Sequence, residues 1–184
     1  KPIGACRTCL IQVEGVRGFP TSCSLPAKEG MKISTDSEQL MSMRRGVIEL
    51  TLAMSPGAHK TNAQARLSPN SELTLAAKNH SIKYSRWDGR KREGTDTSNP
   101  VFNISMDACI LCGRCTQACQ DGHQFIGAID FLGTAKKSRI GTFMDKPLID
   151  SICTTCGQCL SVCPTGAIET KVPPKKSSKS ITTT

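Results

Sequence analysis

Eleven cysteines in 184 residues, eight of them in two copies of one motif, set the tightest limit on what this chain can fold into. The run Cys109-Ile-Leu-Cys112-Gly-Arg-Cys115-Thr-Gln-Ala-Cys119 recurs 44 residues later as Cys153-Thr-Thr-Cys156-Gly-Gln-Cys159-Leu-Ser-Val-Cys163. Each copy leads into the same tripeptide, Gly127-Ala128-Ile129 and Gly166-Ala167-Ile168, the first after five additional residues. Repetition of this kind points to two small units in a pseudo-twofold pair. Both copies read C-x2-C-x2-C-x3-C. Three thiolates at that spacing wrap one face of a cube-shaped iron–sulfur cluster, while the fourth points away and ligates the other cluster. The spacing therefore assigns Cys109, Cys112, Cys115 and Cys163 to one [4Fe–4S] cluster, and Cys153, Cys156, Cys159 and Cys119 to a second. Pro164 suits the position behind Cys163 because it cannot continue a helix. Gly113 and Gly157 lie inside the ligand loops, where a side chain is expected to crowd the cluster. Paired C-x2-C units can also hold zinc, but the third and fourth cysteines at these spacings argue for iron and sulfide.

Composition agrees with cross-linking by metal. Only 4% of residues are aromatic and 38% hydrophobic, thin for a core that must stand alone. No signal peptide is legible at Lys1-Pro2-Ile3-Gly4, and no apolar run approaches the ~18 residues that span a bilayer. A cytoplasmic location without membrane insertion is expected, in which thiols serve as ligands rather than disulfides. The net charge of +9 is concentrated at Arg86, Arg90, Lys91 and Arg92, and at Lys171, Lys175, Lys176 and Lys179. Both groups read as solvated linkers, with docking onto an acidic partner as the functional alternative. A zinc-bound, nucleic-acid-contacting module is a third hypothesis that the charge suggests. No aromatic residue interleaves the basic tail, which disfavours single-strand stacking, so no nucleic-acid partner is expected.

Four regions follow along the chain. Residues 1–35 carry strands at Leu10–Val13 and Met31–Ile33, separated by Gly, Pro and Ser turns. Residues 36–100 begin with a helix over 36–54, whose Leu40, Met43, Val47, Leu50 and Met54 recur on one face. Thr35 and Glu38 form a capping box, and Ser55-Pro56-Gly57 ends the helix. A short helix over Glu72–Lys78 buries Leu73, Ala76 and Ala77, and Arg86–Pro100 reads as a linker. Residues 101–170 hold the eight repeated cysteines. Residues 171–184 read as a flexible tail or a linker to a catalytic domain.

The front region contains Cys6, Cys9 and Cys23. A [2Fe–2S] centre takes four cysteine ligands, and only three lie here, so a three-cysteine remnant or a zinc loop stays open on spacing alone. The run Gly4-Ala5-Cys6-Arg7-Thr8-Cys9-Leu10-Ile11-Gln12-Val13-Glu14-Gly15, followed by Cys23, Pro26 and Gly30-Met31, resembles the plant-type [2Fe–2S] domain that opens several large redox subunits. These are the molybdenum- or tungsten-dependent formate dehydrogenase alpha subunit, the large iron–sulfur subunit of NADH dehydrogenase, the diaphorase subunit of NAD-linked hydrogenases, and iron-only hydrogenase. In that pattern a first cysteine lies well before the position of Cys6, whereas five residues precede Cys6 here. The resemblance implies that the sequence begins inside the domain, with the fourth [2Fe–2S] ligand outside it.

Cys109-Ile-Leu-Cys-Gly-Arg-Cys, Gly127-Ala-Ile-Asp-Phe131, Asp145-Lys-Pro-Leu148 and Cys163-Pro-Thr-Gly-Ala167 are similar to formate dehydrogenase and hydrogenase in particular. The implied fold is α+β: the C-terminal part of a β-grasp [2Fe–2S] ferredoxin domain, a helical connector, and a two-cluster [4Fe–4S] ferredoxin domain. The implied function is electron transfer between a catalytic site, formate oxidation or CO2 reduction first among the hosts, and a flavin/NAD diaphorase partner. The molybdopterin lies in a domain or subunit outside this chain, and no catalytic residue is expected within it. The alternative is a stand-alone carrier subunit of an NAD-linked hydrogenase or NADH dehydrogenase. One departure matters. Relatives usually carry H-x3-C-x2-C-x5-C between the helix and the double-cluster region, yet residues 24–108 contain no cysteine. Ser55 falls at the histidine position, His59 and Asn62 at the first two cysteine positions, and Ser71 at the last. Serine and asparagine are poor iron ligands, so that cluster is expected to be absent while the local fold persists. His80 reads as a surface histidine and His123 as a loop histidine near a cluster.

Overall fold

Glycines and prolines punctuate the front segment so closely that only very short strands fit. The computed structural model describes residues 4–54, 71–87, 92–122 and 125–171. Gln12–Val13 (β1) pairs antiparallel with Ile33–Ser34 (β2), with Val13 opposite Ile33. An isolated antiparallel bridge joins Leu10 to Thr21. Leu10, Ile11 and Val13 are buried.

The helix expected over 36–54 forms at Glu38–Leu52 (α1). Its cap is Ser37 rather than Thr35. Ser37 has the extended backbone an N-cap needs, and its hydroxyl accepts from the Leu40 N–H at 3.4 Å. The buried stripe shares Leu40 with the expected one and differs beyond it. Leu40, Ile48 and Leu52 are buried, whereas Met43 and Leu50 are 47% and 51% exposed. Two apolar stripes lie side by side on this helix, and a tertiary contact selects between them. Arg44, in line with Leu40 and Ile48, donates from Nε and Nη2 to the Leu10 carbonyl and from Nη1 to that of Thr35. Those bonds turn the Leu40–Ile48–Leu52 side toward the front segment and the rest of the chain.

Glu72–Asn79 (α2) forms as expected, one residue longer. Ser71, which alignment places at a cysteine position, is its N-cap: the buried hydroxyl accepts from the Thr74 N–H at 3.1 Å. Ser55, His59 and Asn62, the other positions of that motif, lie outside the described residues, as does His123. Ile48, Leu52, Leu73, Ala77 and Ile82 form one core between the helices, with Ala76 and Ile110 packed against it. The helical connector is thus held by apolar packing. His80 is half-buried rather than on the surface, with Nδ1 inaccessible and lacking a hydrogen-bond partner.

The basic cluster at 86–92 is not merely solvated. Arg86 forks onto Glu49, with Nε and Nη2 at 2.9–3.1 Å from the two carboxylate oxygens, and its backbone N–H adds a third donor at 2.7 Å. Its guanidinium also lies 4.7 Å from the centre of the Trp87 ring. Arg86 thereby ties the loop to α1, while Arg90 and Lys91 fall outside the described residues. The Arg86 bonds hold Glu49 below the ordinary carboxylate range, against the opposing effect of its burial. A depressed value means the pair stabilises the fold above the ordinary glutamate pKa and that this contribution is lost as pH falls through the lowered one. Glu49→Gln is expected to lower stability at neutral pH and to flatten the acid limb below about pH 4.3. Circular dichroism across that range checks both effects.

The C-terminal region holds the remaining sheets. Thr95–Asp96 (β3) lies in the stretch read as linker, yet it pairs antiparallel with Phe102–Ser105 (β4), which pairs in turn with Ile168–Thr170 (β7). Ile129–Leu132 (β5) pairs with Arg139–Thr142 (β6) in a separate antiparallel pair. Two helices, Arg114–Asp121 (α3) and Gln158–Ser161 (α4), follow Gly113 and Gly157, the fifth residues of the two motifs. The strands cross between repeats. The strand before the first motif, β4, pairs with the strand after the second, β7; the strand before the second, β6, pairs with the strand after the first, β5. Phe102, Ile104, Met106, Ile129, Ile140, Leu148 and Ile168 build one core from both halves, with Cys109 and Cys159 inside it.

Candidate metal centres

Backbone geometry repeats along with the sequence. Leu111 and Thr155, third in each motif, have φ of 53° and 58°, and Gly113 and Gly157 have φ of 75° and 76°. Left-handed backbone at alternate positions curls each C-x2-C-x2-C loop so that its thiols face one point. At Gly113 and Gly157 the left-handed backbone suits glycine, which adopts it without the strain that Leu111 and Thr155 bear. A Cβ on Gly157 would meet no protein atom within 4 Å, so backbone conformation, rather than crowding by protein, accounts for the residue. Each glycine then serves as the N-cap of its helix. α3 has eight residues and α4 four. Where Gln120 extends α3, the equivalent Pro164 forbids the same in α4 and biases Cys163 away from helix.

These loops gather the eight thiols into two sets. Cys109, Cys112, Cys115 and Cys163 line one cavity. Cys119, Cys153, Cys156 and Cys159 line another. Each set takes three cysteines from one motif and the last from the other. The remaining walls are mainly apolar: Ile104, Met106, Ile140 and Ile168 at the first, Phe102, Ile126, Ile129 and Leu148 at the second.

Cys109, Cys112, Cys115 and Cys159 resist ionisation in this setting. Burial, then the charges of Cys109, Cys112, Cys163 and Cys159, pushes Cys115 up to about 12. Burial, then Cys153 and Cys119, pushes Cys159 up to about 12. Cys109 and Cys112 are raised as well, chiefly by burial. Thiolates crowded into an apolar cavity are tolerable only around positive charge, which iron supplies. Among the described residues, no three His, Cys, Asp or Glu side chains converge closely enough to hold a single metal ion. None of the eleven cysteines is in a disulfide. The donor set therefore fits a cube ligated at its corners better than a lone tetrahedral zinc. Backbone N–H groups point at several sulfurs: Leu111 at Cys109 (3.5 Å), Thr155 at Cys153 (3.4 Å) and Ala128 at Cys119 (3.2 Å).

Cys9 and Cys23 are neighbours that influence each other's ionisation, and Cys6 acts on Cys23 as well. Burial opposes ionisation of Cys9, but bonds from Cys23 and Ser22 bring it below its ordinary value. Cys23 is raised, first by its bond to Cys9. Arg7, between Cys6 and Cys9, is left-handed at φ 55°, like Leu111 and Thr155 between their own cysteine pairs. Cys6 and Cys23 are exposed and Cys9 half-buried.

Contacts join the connector to the first cavity. Arg114 Nη1 donates to Glu72 at 2.6 Å, and the Leu73 N–H donates to the Pro164 carbonyl at 3.4 Å. Arg92 donates from Nη1 to the Cys109 carbonyl at 3.0 Å and from Nε to that of Ser138. Sequence reasoning placed Arg92 in a solvated loop and passed over Asn99. Asn99-Pro100 reads as a turn, and no local signal reveals that the asparagine is interior.

Comparison with known proteins agrees with this geometry. Residues 103–170 match the 4Fe-4S dicluster domain, and residues 1–38 match the 2Fe-2S iron-sulfur cluster binding domain. The chain carries two iron–sulfur domains. It is 33% identical over 166 residues to the NADP-reducing hydrogenase subunit HndD of Solidesulfovibrio fructosivorans, across 89% of this chain and 28% of that subunit. It is 31% identical over 175 residues to the NADPH-Fe(3+) oxidoreductase subunit alpha of Geobacter sulfurreducens, across 92% of this chain and 19% of that one. The chain thus spans under a third of the length of these curated relatives. Among solved structures, a chain of the NAD+-reducing [NiFe]-hydrogenase in the H2-reduced state superposes with a TM-score of 0.74 at 26% identity. That match covers 91% of this chain and 70% of the hydrogenase chain. Iron–sulfur domains in an α+β fold, homologous to parts of hydrogenase and NADH dehydrogenase subunits, follow from these matches. No helix among the described residues is long and apolar enough to cross a membrane.

Proposed function

We propose that this chain is an electron-transfer module of an NAD(P)-linked oxidoreductase. Two [4Fe–4S] clusters are held by crossed ligand sets: Cys109, Cys112, Cys115 and Cys163 for one, Cys153, Cys156, Cys159 and Cys119 for the other. The observation that carries the reading is the sorting of eight thiols into two apolar cavities, three from one motif and one from the other in each. When bound, such clusters take up and release single electrons over a wide range of potentials. The chain's own residues hold the sulfurs, keep water away with Phe102, Ile104, Ile129 and Leu148, and offer backbone N–H groups to stabilise added negative charge. Because each cavity takes one cysteine from the motif that mainly builds the other, the two clusters lie side by side in one core, an arrangement that favours electron hopping between them. Cys6, Cys9 and Cys23, in a [2Fe–2S] domain over residues 1–35, supply three of the four ligands that such a centre takes.

A flavin- and nicotinamide-binding diaphorase is the partner in this reading, which the nicotinamide named in the relatives' descriptions supports. The catalytic site lies outside the chain. A second reading, formate oxidation at a molybdopterin partner, rests on Asp145-Lys-Pro-Leu148 and Cys163-Pro-Thr-Gly-Ala167. Anaerobically isolated protein is expected to be brown, with about eight iron and eight acid-labile sulfide atoms per chain from the cubes alone. Reduction of the clusters by NADH or hydrogenase partner subunits, set against reduction by formate-oxidising ones, separates the hosts. A colourless protein with stoichiometric zinc overturns the whole reading.

A further inference from the structure

We infer that Asn99 is a positioning residue for the cluster held by Cys119, Cys153, Cys156 and Cys159, and that its side-chain amide raises that cluster's reduction potential. Asn99 is 1% exposed, among the most deeply buried side chains of the molecule. Its orientation is fixed by chemistry. Oδ1 accepts from the backbone N–H groups of Val101 at 2.9 Å and Phe102 at 3.3 Å. Two donors facing one atom require an oxygen there, so the NH2 group must point the other way. It points at the second motif: Nδ2 lies 3.1 Å from Thr155 Oγ1 and 3.9 Å from Cys153 Sγ.

The repeat supplies an internal reference. Leu111 and Thr155 give equivalent backbone N–H bonds to Cys109 and Cys153, at 3.5 and 3.4 Å. The Asn99 amide is additional to that shared pattern. The first cavity has a different side-chain contact, Thr165 Oγ1 at 3.8 Å from Cys163 Sγ, in which either atom can donate. A hydroxyl rotates; the Asn99 amide, clamped at its other end by two backbone donors, does not. A fixed donor aimed at a ligand sulfur favours the more negative, reduced state, and hydrogen bonds to cluster sulfurs are among the determinants of potential. One electron enters, no bond breaks and no proton need move, so the whole effect falls on the potential. Asn99 precedes β4 and is anchored to Phe102, which lines the same cavity, so one turn orders both the wall and the donor.

This inference rests on the proposed ligand set, and the two can fail separately. Iron and sulfide content together with the electron paramagnetic resonance of the dithionite-reduced holoprotein report whether two cubes are present. Asn99→Asp keeps the acceptor oxygen for Val101 and Phe102 and replaces the NH2 by oxygen. With both cubes retained, a potentiometric titration is expected to show one cubane midpoint lowered by at least a tenfold change in its one-electron equilibrium, about 59 mV, and the other unmoved. A bond to a charged acceptor is of the size that gives such a factor. Should the variant not fold, pulsed resonance of the unmutated reduced protein, labelled with ¹⁵N at asparagine side chains, reads the same contact. A nitrogen coupling to one cluster supports the role. Two intact cubes with unshifted midpoints in Asn99→Asp, or without any asparagine coupling, overturn it.

Discussion

Replacing Cys163 by serine is expected to remove the cluster of the first motif, although Cys163 belongs to the second. In that cavity Cys163 stands with Cys109, Cys112 and Cys115, and serine is a weak replacement for a thiolate toward iron. Cubane iron should fall from about eight to about four atoms per chain. Double variants test which residues act together. Cys112→Ser added to Cys163→Ser should cost no more iron, because both strip one cube. Cys156→Ser added to Cys163→Ser should take the rest. Consecutive ligation predicts the reverse pattern, and iron analysis of the two doubles decides between them. Stability should follow. Cys109 and Cys159 are buried members of the core, and a cluster's binding energy is folding energy. Cys156→Ser is therefore expected to lower the thermal midpoint of residues 101–170, and an unchanged midpoint in cluster-depleted protein would contradict that role.

How far the sequence alone reached depends on the kind of constraint at each place. The cysteine spacing made both cavity sets legible, because ligand loops are local and their geometry is nearly dictated by Cys, Gly and Pro. Leu111, Thr155, Gly113 and Gly157 share left-handed backbone across the repeats, so one pattern in sequence became one shape twice. α2 was legible from Leu73, Ala76 and Ala77 on one side of a short stretch, while the capping role of Ser71 emerged only from the structure. The buried side of α1 was legible only at Leu40, because Met43, Val47, Leu50 and Met54 offer one continuation of the stripe and Ile48 and Leu52 another. The choice is made by Arg44 reaching Leu10, 34 residues away. Strand β3 was hidden by polar composition, since two residues in a Gly- and Ser-rich stretch carry no alternation to detect. Arg86, Arg92 and Asn99 acquire their roles only through partners 37, 17 and 54 residues distant. Long-range polar contacts of this kind leave no periodic trace.

Phe102→Ala is expected to be the most damaging substitution that leaves every cysteine in place. Phe102 is 1% exposed. It lies on β4 opposite Thr170 of β7, in the sheet through which the two repeats cross. It belongs to the shared core and lines the cavity of Cys119, Cys153, Cys156 and Cys159. Truncating a buried phenylalanine costs about 3–5 kcal/mol, part in transfer and part in the cavity left behind. A small domain has only ~5–15 kcal/mol to lose, so urea unfolding of the holoprotein should shift far toward lower denaturant. The vacancy also opens beside the thiols, where water would replace an apolar wall. Cluster bleaching in air should accelerate together with the loss of stability. Phe102→Leu separates the two effects. It retains most of the volume, so its cost should stay near ~1–1.5 kcal/mol, and a wall that mainly excludes water should then be nearly restored. A loss below 1 kcal/mol in Phe102→Ala, or bleaching no faster than in the unmutated protein, would remove Phe102 from the role assigned to it.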